Sequence, residues 1–164
     1  MRAINRSSRS ALTGLLAALV LAACGGGDGT GPGSALPAEL VGSWAADANC
    51  VVRGCGFTLH SVANPADTVN LVSQGIASVY LTLGGGGAAR LQLISPVTDT
   101  TLSGTASTSG SDLLITSGGS ADTIGYAVDG SLLRLTFQSE LTVWDFTGDQ
   151  VPDPATVTAT FEKR

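Results

Sequence analysis

Apolar and polar side chains alternate with a period of two through most of the chain beyond residue 40. The last run shows it best. In residues 155–161, ATVTATF, Val157, Ala159 and Phe161 fall on one side and Thr156, Thr158 and Thr160 on the other. Successive side chains of a strand point to opposite faces, so this pattern predicts a half-buried antiparallel strand. The same pattern predicts strands over residues 40–46, 57–62, 77–83, 88–94, 101–107, 112–116, 122–128, 131–137, 141–146 and 155–162. Residues 68–72 either continue the strand pattern or cover an end of the sheet. No long stretch repeats apolar residues at helical spacing. Turn signals stand between the runs: Asn64-Pro65-Ala66-Asp67, the four glycines Gly84 to Gly87, Ser109-Gly110 and Asp129-Gly130. Short links between successive strands favour an up-and-down meander, and closing it removes unpaired edges. The expected fold class is therefore all-β, an antiparallel up-and-down β-barrel. An immunoglobulin-like sandwich does not fit. Trp44 precedes both Cys50 and Cys55, which are too close in sequence to bridge two sheets.

The front of the chain breaks the rhythm. Arg2, Arg6 and Arg9 precede an uncharged apolar run, residues 11–23. At about 13 residues this run is shorter than the roughly 20 of a spanning helix, and it has the layout of a secretory signal. Its end, Leu21-Ala22-Ala23-Cys24, resembles the lipobox of bacterial lipoproteins. That resemblance implies cleavage before Cys24 and attachment of diacylglycerol to the Cys24 thiol, usually with acylation of the new amino terminus. Two or more chains anchor stably where one does not. Gly25, rather than an aspartate, follows the cysteine, which by the same resemblance points to the outer membrane. Residues 25–37, GGGDGTGPGSALP, are too glycine-rich and aperiodic to fold and are expected to form a flexible tether. The expected organisation is a cleaved signal peptide over residues 1–23, a lipidated cysteine and linker over 24–38, and a barrel domain over 39–164.

Charge narrows the function. The chain carries 8 basic and 13 acidic residues, net -5; without Arg2, Arg6 and Arg9, 5 basic residues face 13 acidic ones, near -8. The remaining cations, Arg53, Arg90, Arg134, Lys163 and Arg164, form no stripe, which argues against a nucleic-acid partner. Some 125 residues suffice for one core. In an exported chain Cys50 and Cys55 are expected to form a disulfide, worth about 2 kcal/mol for so short a loop. A metal pair is the rival, short of two further ligands because His60 is the single histidine.

Gly42-Ser43-Trp44 on the first strand and Lys163-Arg164 after the last resemble the lipocalin and calycin pattern. In that family a tryptophan plugs one barrel end and an arginine packs across it. The resemblance implies a plug of Trp44 with Arg164, or with Lys163, joined by a cation–π contact. Residues 58–75 and 144–164 are similar to segments of small lipocalin-like domains in bacterial lipoproteins; the Cys50 to Cys55 insert departs from them. Tyr80, Tyr126, Phe137 and Trp144, with Trp44 and Phe146, are candidates to line the interior. An eight-stranded barrel is just wide enough to be filled by side chains or to hold one small ligand. A filled or nearly filled interior is expected. Two functions follow: an envelope lipoprotein whose barrel binds a small apolar ligand or lipid, or a structural or protein-interaction lipoprotein with a solid barrel.

Other chemistry is thin. Asp145, Asp149 and Asp153 cluster in DFTGDQVPD, but Gln150 and Thr156 stand where a calcium loop wants glycine and glutamate, so no metal is expected. His60 with Asp67 or Asp47 makes no triad, and no serine sits in a G-x-S-x-G elbow. Gly84 to Gly87 lack the lysine and helix of a phosphate loop. No catalysis and no cofactor are expected.

Overall fold

The computed structural model describes residues 36–96, 98–137 and 142–164. The expected signal, the lipidation residue Cys24, the tether through residue 35 and the strand start at Leu141 lie outside them. Eleven strands form one antiparallel sheet: β1 (Gly42–Ala46), β2 (Gly56–Ser61), β3 (Thr68–Asn70), β4 (Ser78–Leu83), β5 (Ala88–Ser95), β6 (Thr98–Ser109), β7 (Asp112–Ser117), β8 (Ser120–Asp129), β9 (Leu132–Phe137), β10 (Thr142–Trp144) and β11 (Asp153–Lys163). The sheet runs β1-β4-β5-β6-β7-β8-β9-β11, and β11 pairs back onto β1. It is a closed eight-stranded up-and-down barrel.

Eleven strands make eight staves because three staves are interrupted. β1 and β2 lie end to end along one edge of β11. Ala45 pairs with Glu162 and Gly56 with Thr160, so a long excursion of chain advances two residues along the partner. The excursion carries a 3-10 turn, Val51–Arg53, and is tied at its base by the Cys50–Cys55 disulfide, with Cα atoms 5.4 Å apart. β3 and β4 form the next stave. It breaks at the same level, where Leu71 N–H donates to Phe57 O. β9 and β10 follow the other edge of β11 in the same manner. The residues predicted as separate strands at 40–46 and 57–62 are thus one stave. Alternation along the chain reports a strand but not which edge it shares.

Hairpin closure follows the expected turn chemistry. Asp129 pairs with Leu132, and Gly130 at φ 58° takes the first loop position, where positive φ brings the right-handed strand twist around. The excursion between β1 and β2 is fastened to the end of β11 by ion pairs. Arg53 reaches Glu162, and Arg164 Nη2 binds both Asp47 carboxylate oxygens at 2.9 Å. Glu162 and Asp47 are each 7% exposed, so these carboxylates are held where water alone would not satisfy them.

Inward-facing positions build the core. Ala155, Val157, Ala159 and Phe161 are buried along β11, as the alternation predicts. Leu36 and Leu40 are also buried, so packing begins a few residues ahead of β1. Trp44 is buried, yet the interior is not filled throughout. On β6 the inward positions carry Leu102, Gly104 and Ala106. Leu102 and Gly104 face a cavity of about 380 Å³. The expectation of a filled or nearly filled barrel is corrected to that extent.

Candidate functional site: an apolar cavity with one carboxylate

All eight staves contribute to the cavity. Phe57 (β2), Leu81 (β4), Ala89 and Leu91 (β5), Leu102 and Gly104 (β6), Ile115 (β7), Ile124 (β8), Leu135 and Phe137 (β9) and Phe161 (β11) supply its apolar wall. Among the described residues the polar lining is Ser103, Ser117, Gly118 and Asp122. These gather where the β6–β7 seam ends. The ladder between those strands runs from Thr105 to Ser109 on β6, and beyond it Ser117 Oγ–H donates to Ser103 O at 3.0 Å. Gly104 stands at the point of parting.

Asp122 is on β8 at an inward position, in register with Ile115 and two residues before the buried Ile124. Its carboxylate has no hydrogen-bond or ion-pair partner among the described residues, and no Lys, Arg or His lines the cavity. Desolvation by burial pushes its pKa above the ordinary 3.8. The folded chain therefore holds this proton more tightly than the unfolded one. The stability this contributes is complete below the unfolded value and is lost as pH rises through the raised folded value. Asp122→Asn is thus expected to raise the thermal midpoint at pH 7, where the charged carboxylate is a burden, and to give no gain near pH 3. Melting curves at the two pH values check this; an equal gain at both would contradict it.

The candidate residues from the sequence are distributed as follows. Phe137 lines the cavity. Trp144 is buried in the core outside the cavity wall, and Phe146 packs half-buried against that core. Tyr126 shares the inward side of β8 with Ile124 but lies nearer the barrel end, where its hydroxyl reaches Gly110 O at 3.5 Å. Tyr80 stands on the outer face, out of phase with the buried Val79 and Leu81. Trp44 is 1% exposed within the core, its indole N–H donating to Leu40 O at 2.8 Å. The cation over its ring is Lys163, 5.1 Å from the centroid, with its ammonium also donating to Glu39 O. Arg164 turns instead to Asp47 and Glu162, because it has the opposite parity to Phe161 and Lys163.

His60 shares a 2.8 Å hydrogen bond with Thr158 Oγ1, while Asp67 accepts from Asn64 and Asp47 is held by Arg164. The three do not meet. The aspartates of the β10–β11 loop bind its own backbone. Asp145 accepts from Gly148 and Gln150 N–H, Asp149 from Val151 and Asp153 from Phe146. Among the described residues no group of three or more ligating side chains is placed to hold a metal.

Asp122 was absent from the sequence candidates. A signal existed: it is the one charged residue in the inward series Ser120, Asp122, Ile124, Tyr126, Val128.

Fold and site together define a closed antiparallel barrel with an internal apolar pocket. No family model matches the chain, and no curated protein matches it. Among solved structures, the crystal structure of a lipoprotein YedD from Klebsiella pneumoniae is similar, with a TM-score of 0.44 at 12% identity, over 80% of this chain and 77% of that one. The architecture described here rests on the strand pairing itself.

Proposed function

We propose that this chain is an envelope lipoprotein, moored through lipid on Cys24, whose barrel receives one small apolar molecule. The cavity carries the reading: about 380 Å³, walled by aromatic and aliphatic side chains, is at the lower end of the roughly 300–1,000 Å³ of ligand pockets. The lipobox-like Leu21-Ala22-Ala23-Cys24 and the glycine-rich stretch after it support the mooring, and Gly25 favours the outer membrane. The binding is non-catalytic and needs no cofactor.

Two measurements test the two halves. Native mass spectrometry of protein taken from its own envelope without stripping detergent is expected to show a small molecule bound one to one; uniformly ligand-free masses would overturn the binding half. Cys24→Ala is expected to move the protein from the membrane to the soluble fraction, and unchanged fractionation would overturn the mooring.

A further inference from the structure

The cavity has an apolar body and a single acidic group, and that asymmetry bears on what it selects. Resting on the ligand-binding reading above, we propose that Asp122 receives the ligand's head group. The cavity would then take amphiphiles with a cationic, hydrogen-bond-donating head, such as an alkyl primary amine, and discriminate against those with an anionic head. Four observations support this. Asp122 is the one ionisable side chain in the lining among the described residues, with Phe57, Phe137 and Phe161 on the apolar wall. Its carboxylate is unpartnered among the described residues, so its acceptor sites are available. Desolvation disfavours its charged form, and a cation beside it would relieve that cost. Among the described residues no basic side chain lines the cavity, so a fatty-acid carboxylate or a phosphate would meet like charge there. The polar residues gather at one seam, so a ligand would lie with its head there and its chain among the rings.

Three probes with the same tail and different heads test this: octylamine, octanol and octanoate, titrated calorimetrically into the purified barrel at pH 7. Octylamine is expected to bind at least about tenfold more tightly than octanoate, as suits a charge-assisted hydrogen bond, with octanol between them. Asp122→Asn is expected to remove most of the amine's advantage over octanol and octanoate, while an unaltered far-ultraviolet circular dichroism spectrum shows that the variant is folded. Asp122→Ser should behave alike. Octanoate binding as well as octylamine, or an amine preference that survives both substitutions, would overturn the head-group assignment while leaving the cavity as a binding site. Failure of all three probes to bind the unaltered protein would overturn the binding reading itself.

Discussion

Trp44→Ala is expected to lower the unfolding free energy by about 3–5 kcal/mol, a large part of the roughly 5–15 kcal/mol of a typical domain. The indole is 1% exposed, on the strand that pairs with both β4 and β11. Removing it opens a void that the surrounding strands cannot collapse into, because each is pinned by a ladder on both sides. It also strips Leu40 O of its donor and Lys163 of the ring beneath its ammonium. Trp44→Phe separates these contributions. It retains most of the apolar volume and is expected to cost about 1–2 kcal/mol for the unsatisfied carbonyl and residual void. Urea denaturation followed by circular dichroism measures both. A loss below about 1 kcal/mol for the alanine variant would mean that the indole is not a main support of the core.

Gly104→Ala has the second large expected effect, for a reason opposite to a cavity. A β-carbon at residue 104 would lie 2.9 Å from Thr116 C and closer still to Thr116 O, both backbone atoms of β7. Backbone in a ladder cannot rotate away as a side chain can, so β6 and β7 would have to separate where the seam already ends. A loss of at least about 2 kcal/mol is expected, within the range for overpacked interiors. Because Gly104 also lines the cavity, octanol binding should weaken in the same variant. Gly85, whose β-carbon would meet nothing within 4 Å, is the control, and Gly85→Ala is expected to change neither quantity appreciably. Equal stability of the two variants would show that the close approach at Gly104 is not a constraint.

Much of the fold was legible because a strand's signal is local. ATVTATF states its own buried face, and Val157, Ala159 and Phe161 occupy it. The hairpin glycines, including Gly130, announce where the chain reverses. Parity alone also carried information about the candidate residues. Lys163 shares a side with Phe161 and so turns toward Trp44, whereas Arg164 faces outward. Tyr80, between Val79 and Leu81, was bound to the outer face. What parity does not encode is partnership. Nothing in residues 42–61 says that β1 and β2 resume along the same edge of β11 after a disulfide-tied excursion. That is a relation to a strand a hundred residues away.

The sequence by itself determined an all-β meander, the inward face of most strands, the turns that join them and the short loop that Cys50 and Cys55 close. The tertiary structure alone decided that eleven strands merge into eight staves, that a hollow lies beside Gly104, and that Asp122 lines that hollow without a partner among the described residues. The division has a physical cause. Alternation is a property of neighbouring residues, whereas the volume left inside a barrel is set by side chains from all eight staves meeting at once. A hollow remains only where side chains from facing walls do not meet.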